Sequence, residues 1–233
     1  KTDAARSQVF TKIGREIAVA VKAGGPDPDS NSALRTVIAK AKAANMPNDN
    51  ISRSIKKASG ELGSINYESV VYEGYGTNGV AVIGETLTDN KNRTAGDVRH
   101  IFDKFGGSMG TNGCVSYLFD SKGVILIEKK PGMDDDEMMM TALDAGAEDF
   151  NVDEDAYEIL TSPADFATVC DNLRNLGYEF ASSQIDRIPQ MTVPLADAAA
   201  EKFIKMIDMF EENDDVQNVF HNADLPETDE EEE

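Results

Sequence analysis

The chain has 233 residues and a formal net charge of −21, from 22 Lys or Arg against 43 Asp or Glu. That length is enough for one to three domains with a real core, and the negative total excludes a protein that coats nucleic acid with its whole surface, since polyanions repel one another. Two isolated cysteines, Cys114 and Cys170, exclude a disulfide framework or zinc knuckle and point to a reduced, cytoplasmic setting. No apolar run approaches the roughly 20 residues of a membrane-spanning helix.

The total conceals a division. Residues 1–60 hold 11 Lys or Arg against 5 Asp or Glu, a net of +6, which leaves the remainder at −27. Residues 7–60 read as three amphipathic helices forming a small bundle. The first puts Phe10, Ile13, Ile17, Ala20 and Val21 on one stripe and Lys12, Arg15 and Lys22 on the far side. Gly24 and Gly25 end it, and a turn from Pro26 to Asn31 leads into the second helix. There Leu34, Val37, Ile38 and Ala41 face inward, while Arg35 and Lys42 share a flank. Asn48 to Asn50 offer capping side chains to a third helix, where Ile51, Ile55 and Ala58 oppose Arg53, Lys56 and Lys57. These eight cations are the candidate nucleic-acid-binding residues, because Lys and Arg on rigid helices can neutralise phosphates without reading bases. The same pattern is that of an ordinary solvated helix surface. No aromatic residues interleave with the cations, so base stacking is not indicated.

Residues 60–67 read as a linker. Val80 to Thr88 follow as a strand, residues 89–94 supply turn and capping chemistry, and Ala95, Val98, Ile101, Phe102 and Phe105 recur at helical spacing. Gly106 and Gly107 stop that helix, and Val115, Tyr117 and Phe119 alternate as a second strand. On the polar side of the helix Asp97 is spaced to pair with Arg93, and Lys91, Arg93, Arg99 and Lys104 form a secondary contact face. From Gly123 the pattern becomes strand, helix, strand, strand, helix, strand: 124–128, 135–145, 148–152, 156–160, 163–176 and 178–188. This is the ferredoxin-like plan. Met138 to Met140 read as core and edge filling. A helix over 195–211 and a strand over 216–221 then complete the half unit left open at Phe119.

The expected architecture is therefore multidomain α+β. A basic helical bundle spans 1–61, a discontinuous α+β domain spans 67–121 and 190–223, and a second ferredoxin-like unit, 122–189, is inserted within it. Residues 224–233, with seven acids, read as a disordered acidic tail that solubilises the chain or touches basic proteins. No catalytic constellation is evident. His100 and His221 lack a nucleophile or metal context, no G-x-S-x-G elbow occurs, and Gly74 to Gly79 lack the ending of a phosphate loop. Asp134 to Glu137 read as a helix amino terminus rather than a cation loop, so neither metal nor cofactor is expected.

The run YEGYG (72–76), the block DNKNRTAGDVRHIFDKFGG (89–107) and GVI (123–125) resemble the YebC/PmpR family of gene-expression regulators. FTKIGREI (10–17), GGPDPDSN (24–31), DAGAEDF (144–150) and DDVQNVFHN (214–222) extend the likeness over nearly the whole chain in the family's order. The resemblance implies a three-domain, non-catalytic regulator. Members are commonly assigned as DNA-binding transcriptional regulators, while others, organellar relatives included, act on translation at the ribosome, some where proline-rich products slow synthesis. The partner is accordingly duplex DNA or, in the alternative, ribosomal RNA, and no membrane is involved. Family members usually begin with a short basic segment ahead of Lys1 that is absent here, so an organelle address stays open.

Overall fold

The computed structural model describes residues 2–60 and 65–227. Three helices come first: α1 (Asp3–Gly24), α2 (Ser32–Ala43) and α3 (Asn48–Ser59). They are followed by β1 (Glu68–Tyr75), β2 (Ala81–Thr88), α4 (Lys91–Lys104), β3 (Ser108–Met109) and β4 (Phe119–Glu128). The chain continues through α5 (Asp135–Ala145), β5 (Asp149–Val152), β6 (Ala156–Thr161), α6 (Phe166–Asn175) and β7 (Ser182–Pro189). It closes with β8 (Val193–Pro194), α7 (Asp197–Glu211), β9 (Val216–His221) and β10 (Ala223–Asp224). Two compact units result, one from residues 1–65 with 121–187, the other from 66–120 with 188–233.

In the first unit the bundle closes over Ile13, Ile17, Ala20, Val21, Leu34, Ala41, Met46, Ile51 and Ala58. A single amide sets the turn between α1 and α2. Asn31 is buried, donates through Nδ2 to the carbonyls of Ala20 (2.8 Å) and Gly25 (2.9 Å), and accepts from the N–H of Leu34 (3.1 Å) as the α2 N-cap. It ties the end of one helix to the start of the next, and each buried polar atom finds a partner. Gly24 is required beneath it, because a Cβ there would lie 2.8 Å from the Asn31 side chain. The α3 start differs from expectation. Pro47 is its N-cap with no side-chain bond, so Asn48 to Asn50 already lie inside the helix. The rest of this unit is a four-stranded sheet of order β5-β6-β4-β7 covered by α5 and α6, the ferredoxin-like arrangement.

The second unit is a four-stranded antiparallel sheet of order β3-β1-β2-β9. One face packs Val80 and Val82 against Val98, Phe102, Phe203 and Phe210 of α4 and α7, with Phe102 and Phe210 in an edge-on contact at 5.5 Å. Its opening is a β1–β2 hairpin ahead of α4. The sequence reading missed β1, because Glu68–Tyr75 mixes polar and apolar residues on both faces. Val115–Phe119 is not a strand either: Ser116–Leu118 form a 3-10 turn, and strand geometry begins at Phe119. Buried Glu73 explains this. Its carboxylate accepts from the N–H groups of Gly113 (2.6 Å), Val115 (3.2 Å) and Ser116 (2.7 Å), removing those donors from any ladder.

Asp224 and Leu225, assigned by sequence to the tail, belong to the fold. β10 pairs with β8 in parallel, the Asp224 carbonyl accepts from the N–H of Leu195 at 2.9 Å, and Leu225 packs on the core. Residues 61–64 of the expected linker and 228–233 of the expected tail lie outside the described residues.

Burial raises the pKa of the Glu73 carboxyl, but the three N–H bonds outweigh it and hold the group below its ordinary value of 4.5. Its contribution is therefore complete above that value and is lost as pH falls through the depressed pKa. Glu73→Gln should lower unfolding stability by about 1–3 kcal/mol at neutral pH, with the deficit shrinking in acid, as read from urea curves at several pH values.

Candidate nucleic-acid interface

The bundle carries its cations on two helices that cross closely. Gly14 of α1 sits opposite Ser54 of α3, where a Cβ would be 4.0 Å from the Ser54 hydroxyl. Along α1, Lys12, Arg15 and Lys22 follow one line opposite the buried Ile13, Ile17 and Val21. Lys12 and Arg15 are half-buried, with the Arg15 Nε itself buried, and the exposed Lys22 donates from Nζ to the Ile65 carbonyl at 2.8 Å. On α3, Arg53, Lys56 and Lys57 are exposed on the side away from Ile51 and Ala58. Arg53 is oriented by its own turn, donating to the Asp49 carbonyl at 3.3 Å and to Asn50 Oδ1.

All three helices end in a basic last turn, Lys22, then Lys40 with Lys42, then Lys56 with Lys57. Cations there complement the helix dipole, by roughly 0.3–1 kcal/mol each at exposed ends, so these lysines also stabilise the bundle.

The second helix departs from the expected pattern. Arg35 donates from Nη1 to the carbonyls of Pro28 (2.7 Å) and Asp29 (3.0 Å) and from Nη2 to Asp171 on α6 (3.1 Å). Its guanidinium holds the α1–α2 turn and the inserted sandwich, and is not presented as a phosphate ligand. Asp171 lies 136 residues away, and no local pattern announces it. Lys40 on the same helix is neutralised by Glu16 at 3.0 Å. Lys42 stays exposed.

The secondary face on α4 does not hold together. Arg93 is paired with Asp215 through Nη2 (2.9 Å) and Nε (3.3 Å) and with Asp89 (2.8 Å), rather than with Asp97, whose carboxylate accepts from Asn213 at 3.2 Å. These bonds push the Arg93 pKa up, and Asp215, with a side chain 4 % exposed, also accepts from the Thr94 hydroxyl at 2.8 Å. Lys91 pairs with Glu68 at 2.6 Å. Arg99 and Lys104 are exposed but project from opposite flanks of the helix, and Lys104 lies over the Phe105 ring at 5.7 Å. His100 is exposed, whereas His221 stacks edge-on against Phe203 at 5.0 Å and is held neutral more readily by burial. Among the described residues, no group of three or more His, Cys, Asp or Glu is placed to hold a metal ion, and no helix is long and apolar enough to cross a membrane.

The profile of the "TACO1/YebC protein N-terminal domain" matches residues 1–61, and that of the "TACO1/YebC second and third domain" matches residues 67–223. The chain belongs to the TACO1/YebC family. A relative from Acetivibrio thermocellus is 60 % identical over 223 residues, covering 95 % of this chain and 92 % of its own, and is named a probable transcriptional regulatory protein. One from Clostridium botulinum (strain Eklund 17B / Type B), 60 % identical over 228 residues with 97 % and 92 % coverage, carries the same designation. The crystal structure of a conserved hypothetical protein from Aquifex aeolicus matches with a TM-score of 0.86 and 45 % identity, covering 100 % of this chain and 96 % of that one. The TACO1/YebC fold is thus helical at the amino end and α+β beyond it.

Within this TACO1/YebC chain the Arg93–Asp215 clamp is structural, joining α4 to the turn before β9. Asp215→Ala should lower stability by about 2–4 kcal/mol in chemical denaturation, since a buried carboxylate with charged and hydroxyl donors is removed.

Proposed function

We propose that this protein is a non-catalytic regulator of gene expression that grips a nucleic-acid phosphate backbone with the cations of α1 and α3. The observation that supports this reading is the placing of Lys12, Arg15 and Lys22 on α1 and of Arg53, Lys56 and Lys57 on α3, each set away from its helix's buried stripe. Lys42 extends the set, and Arg35 is left out of it. Helix-borne cations without aromatic neighbours suit duplex or structured nucleic acid held by its backbone. The designation of the relatives as probable transcriptional regulators supports duplex DNA as the target.

One observation favours a second reading, a ribosome-associated translation factor. The chain outside residues 1–60 carries a net charge of −27. A body of that sign is repelled along naked duplex, and is accommodated where RNA alternates with basic protein.

Binding of the full chain to a promoter duplex, a scrambled duplex and ribosomes separates these readings. Specific DNA regulation predicts preference for the promoter, and equal affinity for both duplexes rules it out. Co-sedimentation with ribosomes, together with a shift in ribosome occupancy when the gene is deleted, is expected of the second. In either case reversal of Arg53, Lys56 and Lys57 to Glu should abolish binding. Conversion of each to Ala should flatten the salt dependence of log K by about one contact per residue removed. Arg35→Gln should leave affinity nearly unchanged and lower stability by less than about 1 kcal/mol, its pair with Asp171 being partly exposed.

A further inference from the structure

The outer face of α5 is an apolar strip in an acidic frame. Met138, Ala142 and Ala145 fill the core, while Met139, Met140 and Leu143 on the other side of the helix are 39 %, 64 % and 46 % exposed. The three-methionine run is therefore split by the helix, one residue inward and two outward, and only Met138 has the filling role expected of it. Leu143 stands one turn from both Met139 and Met140, so the three make one patch. Leu176, 63 % exposed, lies one turn beyond Asn172, whose amide reaches the Ala145 carbonyl at the end of α5 (3.0 Å).

The charges that α5 itself places beside this patch are of one sign. Asp136, Glu137 and Asp144 interleave with Met140 and Leu143 along the helix, and α5 contains no Lys or Arg. Asp135 is occupied by the Tyr157 hydroxyl (2.7 Å) and Lys129 (3.4 Å), but the carboxylates of Asp136, Glu137 and Asp144 have no cationic partner among the described residues. Exposed methionines make an adaptable apolar surface, and a ring of uncompensated carboxylates selects for positive charge. An anionic lipid surface is repelled by the same ring.

We propose that this face of α5 docks a basic amphipathic helix of a partner protein, its apolar stripe on Met139, Met140 and Leu143 and its Lys or Arg residues on Asp136, Glu137 and Asp144. This is the helix-on-helix mode in which apolar anchors give affinity and charges give register. It is separate from the nucleic-acid contact and uses none of its residues.

A fluorescein-labelled amphipathic Lys–Leu peptide, titrated against the full chain in anisotropy, is the test. The wild-type chain should bind it and should not bind the matching Glu–Leu peptide. Met140→Ser with Leu143→Ser should weaken binding roughly tenfold. Both side chains point outward, so this variant keeps its core. Asp136→Asn with Asp144→Asn should weaken binding and reduce its salt dependence. Unchanged affinity in both variants would show that the peptide follows diffuse negative charge and would overturn the proposal. So would a concentration-dependent dimer that the Ser variant abolishes, since the face would then be covered by a second copy.

Discussion

The bundle that carries the cations depends on one buried amide. Asn31 bonds the Ala20 and Gly25 carbonyls at the α1 end with its Nδ2 and the Leu34 N–H in the first turn of α2 with its Oδ1, so the two helices cannot change their angle without exposing unpaired polar atoms. With that angle fixed, Ile13, Ile17 and Leu34 pack without exposure and α3 closes the remaining side. The line of Lys12, Arg15 and Lys22 then lies on a rigid support. Replacing Gly24 would disturb this arrangement as surely as replacing Asn31, because the amide occupies the space a side chain would need.

Ion pairing edits the positive excess into a direction. Glu16 cancels Lys40 and Asp171 engages Arg35, both on α2, which leaves Lys42 as the exposed cation of that helix among its three. In the second unit the equivalent editing is complete on one side of α4, where Asp215, Asp89 and Glu68 take up Arg93 and Lys91. Whether a cation on a helix face becomes a fastener thus depends on acids that for Arg35 and Arg93 include one more than a hundred residues away.

This distance explains what could and could not be read from the residues. The apolar stripes of α1, α4, α6 and α7 are local periodicities, and they identify the helices, much of the core and the ferredoxin-like order of the inserted sheet. β1 escaped because Glu68–Tyr75 mixes polar and apolar residues on both faces of the strand and shows no clean alternation. Val115 to Phe119 alternate like a strand, yet the carboxylate of Glu73, some forty residues earlier, claims their N–H groups. The candidate cations on α1 and α3 were legible from spacing alone. The role of Arg35 was not, nor was the Asp215 clamp, since each depends on a partner more than a hundred residues away.

The sheet of the second unit joins segments made at very different times. β2 pairs with β9, Ile83 opposite Phe220, across the whole inserted sandwich. A chain emerging from the ribosome can finish the bundle and the inserted sandwich while β1, β2 and α4 still lack α7 and β9. Until those arrive, Phe102 and Val82 have no Phe203 or Phe210 to pack against. The nascent protein must carry an open apolar sheet through the synthesis of about a hundred residues, the state in which aggregation competes with folding. Truncation near the carboxyl end would therefore leave the first unit intact and the second permanently unfinished.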